Sequence, residues 1–458
     1  MTPDLHDLWF LPLGGCGEIG MNLNLYGHNG QWLMVDCGIT FARAGDPDHH
    51  GADIQMADPG FISARREQLA GLLITHAHED HIGAVAWLWP LLRCPVYATP
   101  FATEVLRRKL AERGLSGQVP LIDVQPGQGH HIGVFHIRYL HLTHSVPEPN
   151  GVVIETPAGR IFHTGDWKLD PAPVVGPGYS ASLFRQLGDD GVDAMVCDST
   201  NALVTGHSGS EGSLYAGLRD AIQGAPGRVV VACFGSNIAR LHTLGRIAHE
   251  ANRYFGLLGR SLVNMVSAAR ATGVWQAAAD PIDSGHLGYL PAEEVLAVAT
   301  GSQGEPRTAL HRLADDSHPD LSLEPGDRVI FSARVIPGNE EAVARLIERL
   351  QQRGVEVITD DDAAVPIHAS GHPASEELLA MYGWVRPRLA IPVHGEAAHM
   401  AANAALARHA GVPRQLTGRN GDLFMIAPVT GLRRQVAPVG RWGVARGQLA
   451  PLPASSTK

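Results

Sequence analysis

Residues 75–81 read T-H-A-H-E-D-H and place His76, His78, Asp80 and His81 within one short stretch. Imidazole and carboxylate are the ligand types that suit zinc in hydrolytic sites. In an extended segment positions 76, 78 and 80 share one face. At a strand-to-helix turn Asp80 and His81 diverge from the histidine pair, which suits two neighbouring ions. A solvated polar turn is the plain alternative, but such a turn has no need of four potential ligands directly after the apolar run Leu72–Thr75. Further along lie His144 in L-T-H-S-V-P-E, Asp166 in H-T-G-D-W-K, His372 in H-A-S-G-H-P and His394 in I-P-V-H-G-E. Each taken singly is an ordinary turn residue. As a set they follow apolar runs beside small residues, the pattern of a cleft rim, and serve as completing ligands or as catalytic groups. A zinc pair can hold a bridging hydroxide and clamp a phosphoryl oxygen. Zinc also lowers the pKa of bound water toward about 7. A histidine outside the metal shell could then protonate a leaving oxygen.

The elements that must position these groups come in three regimes. At the start, Trp9–Pro12, Asn22–Tyr26 and Trp32–Asp36 are short apolar strands separated by Gly14, Gly15, Gly17 and Gly20, which favours a β-meander. Ala84–Trp89 reads as a short helix with Pro90 set against its continuation, and Ala102–Arg113 as a helix with Arg107, Arg108 and Lys109 on an exposed side. Strands recur at His136–Leu140, Gly151–Glu155 and Arg160–His163. Near residue 200 apolar runs begin to alternate with helices: Met195–Cys197, Val229–Cys233, Val295–Ala299, Arg328–Ser332 and Val355–Thr359 against Ser213–Ile222, Ile238–Ala251 and Glu340–Gln352. That alternation predicts a largely parallel α/β layer. After about residue 360 come histidine-bearing strand ends at Val365–His368 and Leu389–His394. Two halves sharing one site, with a domain inserted between them, explains this order. The predicted boundaries are 1–205, an insertion over 206–355, a return over 356–445, and a disordered Pro/Ser-rich tail over 446–458.

Composition narrows the function classes. The 458 residues are 45% hydrophobic and 18% charged, enough for more than one core and against a disordered chain. Gly 52 and Pro 31 point to many tight turns. The net charge of −10 excludes a globally basic nucleic-acid coat but not a local basic groove. Five scattered cysteines, Cys16, Cys37, Cys94, Cys197 and Cys233, form no C-x-x-C pair and no disulfide framework. With no signal-like N-terminus and no apolar run near 18 residues, the expectation is a cytoplasmic chain that meets no membrane.

The H-x-H-x-D-H pattern with later His, Asp and His resembles the metallo-β-lactamase fold. C-D-S-T-N-A (197–202), S-G-H (370–372) and V-H-G-E (393–396) resemble motifs A, B and C of the β-CASP nucleases, with the last two histidines 22 residues apart. Within that group the chain is similar to the bacterial ribonuclease J family, through L-G-G-C-G-E-I-G-M-N (13–22), F-G-S-N-I-A-R (234–240), G-R-S-L (259–262), T-G-S-Q-G-E-P (300–306) and I-P-G-N-E (336–340). The resemblance implies an α/β chain: a metallo-β-lactamase αββα sandwich with an inserted α/β β-CASP domain. It departs in three places. The sequence stops at 458, where that family usually continues into a separate C-terminal domain, so it resembles a short form; 144–148 reads H-S-V-P-E where I-P-D is commoner; and G-H-S-G-S-E-G (206–212) is unusual after motif A.

Roles carried over by the resemblance are as follows. His76, His78, His144 and Asp166 hold one Zn2+, and Asp80, His81, Asp166 and His394 the other, with Mn2+ as an alternative metal. Asp80 and Asp166 position a bridging hydroxide for in-line attack. His372 touches the scissile phosphate and serves as general acid to the departing 3′ oxygen, leaving a 5′-phosphate end. Asp198 orients the site from behind the ligands or assists proton transfer. The segment His368, Ala369, Ser370, Gly371 and His372 wraps the phosphate. Ser236 and Asn237 anchor the nucleotide or a 5′ monophosphate; an ordinary helix N-cap before Ile238 is the plainer role for them, compatible with the first. T-G-S-Q-G-E-P serves equally as a tight structural turn. Histidine at motif C, His394, goes with the RNA-processing members. Arg240, Arg260, Arg307 and Arg334 are candidate liners of an RNA groove, while 6% aromatic residues argue against an extended stacking platform. A structural Ca2+ found in some relatives would draw on Gly51–Asp53. A homodimer and RNA-decay partners are further implications.

The expectation is thus a dizinc ribonuclease on single-stranded RNA, acting 5′ to 3′ from 5′-monophosphate ends and also internally. One rival is a small-molecule hydrolase of the lactonase or thioesterase type, disfavoured by the inserted domain and motifs A to C. The other is a non-catalytic RNA-binding subunit. Seven polar ligands gathered in one cleft speak against it, because they destabilise a fold unless a metal satisfies them.

Overall fold

A computed structural model describes residues 1–42, 51–336 and 338–453. Pro337 of the I-P-G-N-E string and residues 454–458 of the tail lie outside the described residues.

The apolar strands of the first and last regimes assemble two sheets packed face to face. The eight-stranded sheet runs Gly431–Arg433, Leu423–Ala427, Leu8–Gly14, Leu23–His28, Gln31–Val35, Leu69–Leu73, Val96–Ala98 and Leu121–Asp123. The three N-terminal strands form the expected antiparallel meander. The seven-stranded sheet runs Arg414–Gln415, Leu389–Val393, Ala194–Asp198, Gly159–His163, Asn150–Thr156, Phe135–His141 and Gly129–Ile132. Phe10, Tyr26, Val35 and Leu73 of the first sheet meet Ile137, Val152, Ile154, Val196 and Ile391 of the second in one buried layer. Helices Val85–Leu92 and Pro100–Glu112 cover the outer face of the first sheet, and Ala181–Asp189, Ser375–Val385 and Ala397–His409 that of the second. This is the αββα sandwich. Both sheets take strands from each end of the chain, so the two ends fold as one unit.

The middle of the chain forms a separate five-stranded parallel sheet in the order Tyr254–Leu258, Val295–Ala299, Val229–Ala232, Arg328–Phe331 and Glu356–Ile358. Its central strands, VVVA and VLAVA, are buried along their whole length, as a parallel sheet with helices on both faces requires. Its helices Ile238–Glu250 and Arg260–Ala271 share a continuous apolar cluster with Pro100–Glu112 of the sandwich, so the insertion is packed against the sandwich rather than tethered to it.

Several expectations are corrected. The insertion runs past residue 355, because Glu356–Ile358 pairs with Arg328–Phe331. Val365–His368 forms no strand; its carbonyl at Ile367 is taken by side chains of Ser332 and Arg240 instead. The short helix runs through Pro90 to Leu92, because Val85, Ala86, Leu88, Trp89 and Leu92 all bury into the core and outweigh one missing hydrogen bond. Only Arg107 of the basic trio is exposed: Arg108 bonds Glu104 and Ser267, and Lys109 pairs with Glu79, beside the metal-type cluster. The tail is ordered at least to Pro451: Gln448–Pro451 pairs with Arg441–Ala445, which joins Ile54–Ala57 and Ile39–Phe41 in a small four-stranded sheet. Among the described residues no helix is long and apolar enough to cross a membrane.

Candidate metal centre and the cleft around it

Three neighbouring strands of the seven-stranded sheet, Gly159–His163, Ala194–Asp198 and Leu389–Val393, run parallel and end at the same edge. That edge gathers Asp166, Asp198 and His394 from three distant parts of the chain. His394 adopts a left-handed backbone (φ 51°), unusual for a non-glycine residue and affordable only where surroundings enforce it. In the facing sheet, Leu69–Leu73 delivers Thr75–His81. His78 is extended and Glu79–Ile82 makes one helical turn, so the histidine pair and the Asp80–His81 pair diverge as expected. The G-M-N end of the glycine-rich opening holds this turn: the backbone and side-chain amides of Asn22 both donate to the Asp80 carbonyl, and Cys37 N–H to that of His81. A Cβ on Gly38 would sit 1.6 Å from the Asp80 carbonyl oxygen, so only glycine fits there.

Two ligand groups result, His76, His78, His144 and Asp166, and Asp80, His81, Asp166 and His394, each with its ligating atoms within 4.8 Å of one another. Asp166 belongs to both. The outward nitrogens establish which atoms face the centre. Thr75 Oγ donates to Asp36, so at 2.9 Å it accepts from His76 Nδ1. His81 Nδ1 lies 2.7 Å from Asp36 Oδ2, His144 Nδ1 faces the carbonyl of Gly371, and His394 Nδ1 lies 2.9 Å from Thr200 Oγ, whose own proton goes to Asp198. Each of these four rings therefore keeps a proton on Nδ1 and turns Nε2 inward, the nitrogen left for a metal, as in metal-ligating histidines. The inward nitrogens and carboxylate oxygens converge: His76 Nε2 and His144 Nε2 lie 3.1 and 3.0 Å from His78 Nδ1, and His394 Nε2 lies 3.0 Å from Asp80 Oδ2. Imidazole nitrogens and carboxylate oxygens gathered this closely in a buried site need a cation among them, whether protons or metal, and this set of donor types fits divalent metal.

Electrostatics agree. Burial opposes a charge on His81, yet Asp166, Asp80 and Asp36 outweigh it and hold its pKa well above the ordinary imidazole value. His76 and His144 are driven well below that value, first by burial and then by the neighbouring histidines. The carboxylate-rich half calls for positive charge and the histidine-rich half for neutral rings; bound cations answer both.

His372 stands beside this centre. Its Nδ1 lies 2.8 Å from Asp198 Oδ2 and 3.9 Å from Asp166 Oδ2, and 22% of its side chain is open to the cleft. Asp198 is buried, which works against its charge, but His372 holds its pKa down to about 2. Asp198 is thus an ionised partner that orients His372 with Nε2 outward. A third group of potential ligands, Asp166, Asp198, His372 and His394, overlaps this pair. All three such groups among the described residues lie in this cleft; Gly51–Asp53 adds none.

The remaining expected residues divide. Asn237 accepts from Arg240 N–H and donates to Glu211, so it is an N-cap with both ends of its amide engaged. Arg240 is 1% exposed, paired with Glu211 and bonded to Ser332 and the Ile367 carbonyl; it is an internal strut, not a groove liner. Arg260, Arg307 and Arg334 are exposed. Through Arg240 the Ser236–Asn237 loop lies next to His368, whose Nδ1 is buried without a partner. Gln303 of T-G-S-Q-G-E-P bonds Arg334 O and Ile336 N, which makes that segment a structural turn. A cavity of about 790 Å³ opens between sandwich and insertion, with His144 and Glu148 on one wall and Tyr215 and His242 on the other. Sequence reading passed over Asp36, Thr75 and Thr200. Asp36 carries the same signal as the others, an apolar strand ending in D-C-G.

Comparison with known proteins gives three family matches: the metallo-β-lactamase superfamily over residues 21–221, the ribonuclease J β-CASP domain over 226–350, and the Zn-dependent metallo-hydrolase RNA specificity domain over 364–415. The chain is 43% identical to ribonuclease J of Sinorhizobium meliloti, over 95% of this chain and 77% of that protein. It is 40% identical to ribonuclease J of Mycolicibacterium smegmatis (88% and 71%) and 36% identical to that of Thermus thermophilus (92% and 74%). A crystal structure of a protein of unknown function from Enterococcus faecalis shares the fold, with TM-score 0.63 and 14% identity over 92% of this chain and 100% of that one.

Proposed function

The chain belongs to the ribonuclease J family of metal-dependent ribonucleases, and from that premise we propose that it hydrolyses phosphodiester bonds of single-stranded RNA in the cytoplasm. It works 5′ to 3′ from 5′-monophosphate ends, with internal cleavage as a second mode. Residues 1–205 and the return after about 358 form the catalytic sandwich, and the insertion between them covers the substrate.

The five histidines and two aspartates of the paired groups would hold two Zn2+, with Mn2+ the other metal compatible with these ligands. A bound pair supplies Lewis acidity toward the phosphoryl oxygens and makes water acidic enough to attack at neutral pH. The chain supplies the rest. Asp80, with 29% of its side chain exposed against 3% for Asp166, is the ligand carboxylate that reaches the cleft and positions the attacking water. His372, oriented by Asp198, presents Nε2 to the departing O3′. As the water oxygen bonds to phosphorus, the P–O3′ bond breaks, its electron pair leaves on O3′, and O3′ takes the Nε2 proton while the water's proton passes to solvent. Ser236 and the 368–372 segment hold the phosphate end.

The observation that carries this reading is the Asp198–His372 pair set at the edge of the shared ligand Asp166. The test is cleavage of a 5′-monophosphorylated RNA, labelled at either end, by wild type and His372→Ala, with a matching DNA alongside. Mononucleotide release from the 5′ end by wild type, with a loss of about 10²–10⁴-fold in the variant, is expected. A metal-loaded protein that cuts neither RNA nor DNA sinks the reading and returns the small-molecule hydrolase.

A further inference from the structure

The G-H-S-G-S-E-G stretch after motif A finds its purpose in a residue that sequence reading did not single out. Glu377, in the first turn of helix Ser375–Val385, is fully buried. Its carboxylate accepts three N–H hydrogen bonds and shares the single Ser208 hydroxyl proton with the His372 carbonyl. Oε1 takes the Leu169 N–H at 2.8 Å; Oε2 takes the Ser208 N–H at 2.9 Å and the Ala374 N–H at 2.8 Å, and lies 2.6 Å from the Ser208 hydroxyl. The Ala374 bond is half of a helix capping box, which any first-turn glutamate can make. The others are not local: Leu169 follows the ligand Asp166 by three positions, and Ser208 lies in the stretch after motif A.

Ser208 in turn grips the main chain around His372. Its one hydroxyl proton lies between Glu377 Oε2 and the His372 carbonyl, and its own carbonyl accepts from Ser370 N–H at 3.2 Å. Asn201, from motif A itself, donates to Ser370 Oγ at 2.7 Å and to the His372 carbonyl at 3.1 Å. One carboxylate thus ties the segment carrying Asp166 to the clamp that holds His372, one oxygen for each.

We infer that Glu377 is a positioning residue that sets His372 relative to Asp166 through Ser208. This rests on the reading of His372 as the proton donor. Glu377→Gln keeps the shape but turns one acceptor into a donor. Its NH2 must face either Leu169 N–H or the Ser208 donors, so one arm of the link is broken. A displacement of about 1 Å at a reacting group costs about 10²-fold in rate, and that loss is expected in the cleavage step with KM little changed.

The test compares wild type, Glu377→Gln, Ser208→Ala and His372→Ala in single-turnover cleavage of a 5′-monophosphorylated RNA. The first linkage is either ordinary or a bridging 3′-S-phosphorothiolate. In the latter the P–S bond breaks and a thiolate leaves without needing a proton. Metal content and thermal midpoint are measured on each protein. The expected result is that all three variants are slow on the ordinary linkage and regain most of the wild-type rate on the sulfur linkage. A Glu377→Gln protein that cuts the ordinary linkage at the wild-type rate, or is equally impaired on both, overturns the inference. If Glu377→Gln does not fold, Ser208→Ala decides by the same criteria. If His372→Ala is not restored by sulfur, the proton-donor reading fails and the inference falls with it; that failure shows in the His372→Ala arm alone.

Discussion

Nδ1 of His144 donates to the main-chain carbonyl of Gly371, the residue directly before His372. A candidate metal ligand and the loop of the proposed proton donor therefore share a hydrogen bond across 227 positions of sequence. Gly371 has no room for a side chain: a Cβ would sit 2.7 Å from His144 Cε1 and 2.7 Å from Ser145 Oγ. Gly371→Ala is expected to turn the His144 ring and weaken metal binding about 10- to 100-fold. Metal retained after dialysis against a weak chelator, read by elemental analysis, checks this; retention equal to wild type refutes it.

Asp36 touches no proposed substrate position, yet it takes the Thr75 amide, the Thr75 hydroxyl and Nδ1 of His81. Asp36→Asn removes the acceptor that keeps the His81 proton on Nδ1. A metal affinity lower by about 10- to 100-fold is expected, with activity recovering as metal is added in excess. Competition with a chromophoric chelator measures the affinity directly.

Removing the metal leaves the proposed ligand groups crowded in a buried cleft without the cations that would bind them. The metal-free protein is expected to melt earlier, and restoring metal at 100 times its dissociation constant to return about 2.7 kcal/mol per site. Calorimetry with and without Zn2+ or Mn2+ tests this. An unchanged melting midpoint contradicts metal binding by these groups.

The Glu211–Arg240 pair is 2.9 Å long, with both side chains at most 2% exposed. Removing one partner of a buried pair costs about 3–5 kcal/mol, so Arg240→Met is expected to be strongly destabilised in urea. Burial pushes the Glu211 carboxyl up, but Arg240 and Lys168 outweigh it and bring it from 4.5 down to about 2. A carboxylate with a depressed folded pKa contributes stability fully above its unfolded value, and that contribution is lost as pH falls through the folded one. The stability gap between wild type and Glu211→Gln should therefore be widest above pH 4.5 and narrow by about 3 kcal/mol on approaching pH 2. Urea titrations across that range check the sign: a gap that widens on acidification excludes the assignment.

Much of this protein was legible before any tertiary structure. T-H-A-H-E-D-H announces a metal cluster because no other use accounts for four ligand side chains after an apolar strand. The β-branched runs announce strands because they occur at the right lengths between glycine turns. The later motifs mark the other edge of the same cleft, since His144, Asp166, Asp198 and His394 all follow apolar segments that end in a turn.

What only the tertiary structure decided are the relations between distant residues. Arg240 reads from sequence as a candidate groove liner, and it is a buried strut, because Glu211 and the Ile367 carbonyl meet it from other elements. Val365–His368 looked like a strand, and it is a loop held by side chains. Gln448–Pro451 looked disordered, and it has a partner strand in Arg441–Ala445. Which nitrogen each histidine turns inward depends on Asp36, Thr75, Thr200 and Gly371. The apolar pattern along a chain reports what a residue must bury. It carries no record of the hydrogen-bond partner that will stand opposite, and in this cleft that partner determines where each proton sits.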